Sequence, residues 1–188
     1  MKIVLGVTGS IAAYKACELV RLFVKGGDDV RVVMTRSACE FVTPLTFQTL
    51  SRNPVGAEQF ALPAEWKPEH IAYADADAVV VAPATANMIA KMAHGLADDL
   101  LSSTLLATRA PVFVAPAMND GMWDNPATQA NIAMLKARGI TVIEPASGEL
   151  ACGTEGKGRF PAPEAICASV RLAWQTDSKS LASPQLPT

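Results

Sequence analysis

The chain has 188 residues, half of them hydrophobic and 18% charged, with 16 Lys and Arg against 18 Asp and Glu for a net charge of −2. That length suits one well-buried domain rather than two. The even charge balance, without a basic block or an aromatic-basic stripe, argues against nucleic acid as the main partner, and no apolar run has the length needed to span a membrane.

In chain order, Met1-Lys2-Ile3-Val4 opens a strand and not a signal peptide, because Gly6 and Gly9 interrupt it and no cleavage-like segment follows. Strand-like apolar runs recur at residues 2–7, 30–34, 78–82, 111–115 and 140–143. Helical spacing lies between them: Ile11, Tyr14, Leu19, Leu22 and Phe23; Met88, Ile89 and Met92; Leu100, Leu101, Leu105 and Leu106; Ile132, Met134 and Leu135. The alternation predicts an α/β fold, a doubly wound parallel sheet with helices on both faces in three layers. Gly26-Gly27 and Gly139 sit where helices should stop.

Residues 53–69, rich in Pro and Ala with Trp66, read as an excursion from the sheet. Residues 148–159 hold four glycines with Cys152, Thr154, Glu155 and Lys157, and read as a mobile flap. The domain is expected over residues 1–174. Residues 175–188 have the composition of a flexible tail or a truncated linker.

Chemistry-bearing residues gather at the strand exits. The first strand runs into Thr8-Gly9-Ser10-Ile11, where Gly9 permits a tight turn and Ser10 can cap a helix whose free N–H groups bind phosphate. Gly6 and Gly9 lack the third glycine of a dinucleotide fingerprint, and Gly156-Lys157 lacks the flanking residues of a P-loop, so a mononucleotide fits better. Thr35-Arg36-Ser37 and Thr85-Ala86-Asn87-Met88 form two more small-hydroxyl turns. The fourth exit is Pro116-Ala117-Met118-Asn119-Asp120-Gly121-Met122-Trp123, a mixture of amide, thioethers and indole that no core explains. Three such turns and the Asn119 loop on one sheet edge predict a shared ligand.

Of the two histidines, His94 reads as a helix-terminal residue and His70 as a candidate general base at the end of the excursion. Cys17 and Cys167 fall within helical patterns as buried fillers, while Cys39 is ambiguous. Cys152, a thiol in the glycine-rich flap, can act as a proton donor or nucleophile. The four cysteines show no metal spacing, and they are expected to be thiols in a reducing cytoplasm.

Gly9-Ser10-Ile11-Ala12-Ala13-Tyr14-Lys15, His70-Ile71, Ala82-Pro83-Ala84-Thr85-Ala86-Asn87, Pro116–Trp123 and Leu150-Ala151-Cys152-Gly153-Thr154-Glu155-Gly156-Lys157-Gly158-Arg159 together resemble the homo-oligomeric flavin-containing cysteine decarboxylases. The likeness runs from Lys2 to about Trp174. It implies a Rossmann-like, flavodoxin-like sheet and FMN, with Gly9, Ser10, Ile11 and Ser37 near the phosphate. Thr85, Ala86, Asn87, Met88 and Ala117 would line the rest of the cofactor site. The resemblance also implies His70 as base or orienting group and Asn119 as ligand of the substrate carboxylate. Cys152 would return a proton, and Met122, Gly153 and Lys157 would lie beside the substrate. The implied activity is FMN-dependent decarboxylation of 4′-phosphopantothenoylcysteine to 4′-phosphopantetheine in coenzyme A biosynthesis, by a homotrimer or trimer-based dodecamer. A synthetase domain would be fused or separate. Rival readings are a peptidyl-cysteine decarboxylase, a flavin prenyltransferase or a non-catalytic regulatory subunit. The Asn119 motif and the Cys152 flap speak against the prenyltransferase, and retention of His70, Asn119 and Cys152 speaks against the regulator.

Overall fold

The computed structural model describes residues 1–60, 68–151 and 153–181. Five parallel strands, β1 (Lys2–Val7), β2 (Asp29–Met34), β3 (Ala78–Ala84), β4 (Val112–Pro116) and β5 (Thr141–Val142), form one sheet in the order β2-β1-β3-β4-β5. The helices are α1 (Ala13–Lys25), α2 (Arg36–Cys39), α3 (Pro44–Ser51), α4 (Glu69–Ala74), α5 (Ala86–His94), α6 (Leu100–Ala107), α7 (Asp120–Asp124), α8 (Pro126–Ala137) and α9 (Pro163–Leu181). A short antiparallel pair, β6 (Ala146–Glu149) and β7 (Glu155–Arg159), stands apart from the sheet.

The strand sequences are almost wholly apolar because both faces of the sheet are covered. Side chains alternate between faces along each strand. Ile3, Leu5 and Val7 of β1 therefore join Leu19 and Phe23 of α1 and Ile166 and Val170 of α9 in one core. Val4, with Val79 and Val81 of β3, joins Ile89, Leu101 and Leu135 from α5, α6 and α8 in the other. Each fully buried aliphatic or aromatic side chain contributes about 1.5–3 kcal/mol. Arg171 of α9 ties that helix to the buried Asp28 before β2, its Nη2 donating to Oδ2 at 2.7 Å.

The five strand expectations hold, with ends shifted by one or two residues. α1 stops at Gly26 and α8 runs out before Gly139, whose φ is +82°. Several expectations fail. α3 lies in a stretch the helical periodicity did not flag; its signal is Thr43-Pro44, a Pro in the first turn. Ile11 and Tyr14 are 54% and 57% exposed rather than core-facing, and Leu106 also points outward. Within residues 146–159 the chain pairs with itself as the β6–β7 hairpin. Near its tip, Leu150 N–H donates to Thr154 O at 2.8 Å and Gly153 N–H to Leu150 O at 2.9 Å. α9 continues to Leu181. Among the described residues, no helix is long and apolar enough to cross a membrane.

Candidate functional site

The chain runs from β1 to β2 on one side of the sheet and then crosses back to β3 on the other. The carboxyl ends of β1 and β3 thus form the switch point where open α/β sheets bind ligands. A cavity of about 580 Å³ opens there.

Thr8 holds the two strand exits beside it together. Its buried hydroxyl donates to Pro83 O at 2.7 Å and accepts from Thr85 N–H at 3.0 Å, clipping the two strand exits together. Gly9 follows because a Cβ there would fall 2.4 Å from Ser37 Cβ; Ser37 packs against the turn, is exposed and does not line the cavity. Ser10 does not cap α1. The cap position is Ala12, whose N–H donates to Ser10 Oγ at 3.3 Å. Gly9 and Ile11 keep backbone N–H groups that no acceptor among the described residues takes up. Thr85 caps α5 by accepting from Met88 N–H at 3.3 Å. Met88 itself is buried in the core, and neither it nor Asn87 lines the cavity.

The opposite wall comes from β4 and the hairpin. Ala117 N–H donates to Ala84 O at 3.1 Å, which carries the loop straight across the β3 exit. Asn119 caps α7, its Oδ1 accepting from Gly121 N–H at 2.9 Å. Trp123 is buried beneath the loop, with Lys157 Nζ 5.5 Å from its ring. The hairpin is seated on this loop by Met118 N–H donating to Gly158 O at 3.0 Å. Close approach there demands glycine: a Cβ on Gly158 (φ +145°) would meet Met118 O at 2.3 Å, and one on Gly156 would meet Asp120 Cβ at 2.6 Å.

One cavity therefore gathers Gly9, Ser10, Ile11, Thr85, Ala86, Ala117, Asn119 and Met122 of the expected residues. Gly153 and Lys157 do not line it, and Lys157 instead pairs with Glu144 at 3.0 Å. His70 sits half-buried at the start of α4, which packs against α6, and it does not line the cavity of its own chain. Cys152 lies outside the described residues, as does Trp66. Burial pushes the Cys17 and Cys39 thiols up, with the charge of a neighbouring Glu adding to it, so both stay protonated and unreactive. Both, with Cys167, are half-buried rather than fully packed. Sequence reasoning placed Thr8 in the first strand-exit turn without giving it a role of its own. It also gave no role to Tyr14, Lys15, Glu149, Arg159 and Phe160, all on the cavity wall.

Residues 1–173 match the family model Flavoprotein. The chain is 50% identical over 186 residues to the coenzyme A biosynthesis bifunctional protein CoaBC of Bacillus subtilis (strain 168), covering 97% of this chain and 44% of that protein. It thus spans less than half the length of that relative. A PPC decarboxylase mutant complexed with pantothenoylaminoethenethiol superposes with a TM-score of 0.82 at 34% identity, covering 93% of this chain and 98% of that one. The FMN binding protein AtHal3 superposes with a TM-score of 0.79 at 34% identity, over 93% and 97% of the two chains. With its five-stranded switch-point sheet and a match over residues 1–173, the chain belongs to the Flavoprotein family.

Proposed function

We propose that this chain is an FMN-dependent decarboxylase that converts 4′-phosphopantothenoylcysteine to 4′-phosphopantetheine and carbon dioxide, a step of coenzyme A biosynthesis. The observation that carries the reading is the meeting of the Gly9–Ile11 turn, the Thr85 turn and the Asn119 loop in one cavity. Its relatives' names supply the substrate class.

The residues present fit FMN. The cavity has the size of a cofactor site. The unused N–H groups of Gly9 and Ile11, beside the N-terminus of α1, suit a phosphate. The small Ala86 and Ala117 leave flat walls for a ring. Held by the Gly9–Ile11 turn, Thr85, Ala86 and Ala117, FMN would supply the redox chemistry needed to oxidise the substrate thiol before decarboxylation and to reduce the product afterwards.

The chain's own side chains bind, orient and move protons. Asn119 holds the departing carboxylate through a neutral amide. A cation there would stabilise in the ground state the charge that must leave. Met118, Met122, Leu150 and Ala151 shield the reacting carbon from water. Cys152 is assigned the proton that completes the saturated thiol, and His70 the base that takes the thiol's proton. Because His70 lies outside its own chain's cavity, that role calls for a second copy, which gives the homo-oligomer of the family a chemical purpose. We take residues 1–174 as the decarboxylase unit and 175–188 as tail or linker. The synthetase of the bifunctional relatives would be a fused or separate unit. A cytoplasmic setting fits the described cysteines, all of them free thiols.

Purified protein is expected to be yellow and to release carbon dioxide from 4′-phosphopantothenoylcysteine. A colourless preparation, or one that acts only on a peptide with a C-terminal cysteine, overturns the reading.

A further inference from the structure

Two cations on the cavity wall have no part in the decarboxylation chemistry: Lys15 in the first turn of α1 and Arg159 at the end of β7. Neither makes an ion pair among the described residues. This contrasts with Lys157, two residues before Arg159, which Glu144 neutralises. Glu149, a carboxylate on the same wall, pairs with neither cation, so the wall carries a net positive charge.

Both cations line the same cavity, on different elements. Lys15 follows the Gly9–Ile11 turn that fits the cofactor phosphate. Arg159 belongs to the hairpin, next to Gly158, whose carbonyl is bound by Met118 beside Asn119. Its guanidinium lies across the hairpin over Gly148, where a Cβ would come within 3.2 Å of Nη1; Gly148 has φ +135°. A bare backbone thus leaves room for the guanidinium on the cavity wall. An exposed guanidinium with no acid partner matches a phosphate dianion, which takes two parallel N–H donors.

We propose that Arg159 is a specificity-determining residue that reads the phosphomonoester of the substrate, selecting phosphorylated over unphosphorylated pantothenoyl compounds. The inference rests on the decarboxylase reading above for the identity of the substrate, and its test does not depend on turnover. Flavin-loaded wild-type protein, Arg159→Ala and Arg159→Lys are titrated calorimetrically with 4′-phosphopantetheine and with pantetheine, and FMN affinity is measured separately on the apoproteins. Wild type is expected to prefer the phosphorylated ligand by about ten- to a hundredfold, the value of a charge-assisted contact. Arg159→Ala abolishes the preference and Arg159→Lys keeps part of it, while affinities for pantetheine and FMN stay unchanged. A wild type without preference, or an Arg159→Ala protein that weakens both ligands alike, overturns the proposal. So does a loss of FMN affinity instead, because it gives the guanidinium to the cofactor's phosphate. A protein that shows the preference yet fails to decarboxylate 4′-phosphopantothenoylcysteine sinks the proposed activity and leaves the assignment of Arg159 standing.

Discussion

Thr8 uses one hydroxyl twice, as donor to Pro83 O and as acceptor from Thr85 N–H, in a position only 1% exposed. Pro83 O keeps a second partner in Thr8 N–H at 3.3 Å, but Thr85 N–H has no such reserve. Thr8→Val preserves the shape and strands that donor, so unfolding stability should fall by about 2 kcal/mol, the usual cost of an unmet buried group. FMN affinity should fall with it as the two exits drift apart. Urea unfolding with an unchanged slope reads the first effect, and a stability equal to wild type would show that the clip holds nothing. Asn119 allows a cleaner separation of fold from chemistry. Aspartate caps a helix as well as asparagine does, so Asn119→Asp should keep α7 and bind flavin normally. Its charge repels the substrate carboxylate, and kcat/KM should drop by about a hundredfold or more, given like charges at contact in a shielded cavity. A rate near wild type would remove Asn119 from contact with the carboxylate.

The hairpin shows what an element adds that no single residue does. None of the residues of β6 or β7 belongs to either core cluster, yet β7 is fastened to the Asn119 loop through Gly156 and Gly158. Gly158→Ala puts a methyl into Met118 O and forces a left-handed backbone on alanine, so the hairpin must lift. The expected result is a kcat/KM at least tenfold lower with a melting temperature within a few degrees of wild type. Unfolding of the whole domain by this substitution would show that the hairpin is part of the core after all. A second fastener is ionic. Glu144 accepts from Lys136 Nζ of α8 at 2.7 Å and from Lys157 Nζ of β7 at 3.0 Å, and these bonds hold its carboxyl below the ordinary 4.5. A lowered folded pKa means that the stabilisation is complete above 4.5 and is lost as pH falls through the folded value. The effect is modest because Glu144 is half exposed. Lys157 lies over Trp123, so indole emission should change in that acid window as the lysine is released. Lys157→Ala should abolish the change. Persistence of the same transition in that variant would assign it to another carboxylate.

Across the molecule, the sequence revealed what depends on burial and missed what depends on contact. All five strands were readable because a sheet covered on both faces needs continuous apolar runs. The cavity edge was readable because polar residues at strand exits have no reason to be there in a core. Ile11 and Tyr14 were misread because apolar spacing records the kind of side chain and not what covers it. The hairpin glycines were read as a sign of mobility; Gly156 and Gly158 also let backbone and side chain touch, which no local pattern records. α9 continues through residues 175–181 because nothing there breaks a helix, which composition alone did not register. His70 is the largest gap, since sequence names its type but not the cavity it serves. With His70 outside its own chain's cavity and Ile71 beside it 40% exposed, the start of α4 offers a face for another copy. If that copy delivers His70 to the Asn119 cavity, two inactive variants should restore each other. His70→Asn and Asn119→Ala homo-oligomers are each expected to be inactive. Unfolded together in equal amounts and refolded, they form sites in which an intact Asn119 meets an intact His70 from the neighbour. Random assembly makes about a quarter of the sites whole, so activity should return to about a quarter of wild type. Mixed oligomers of confirmed composition that stay inactive would place the catalytic base within a single chain.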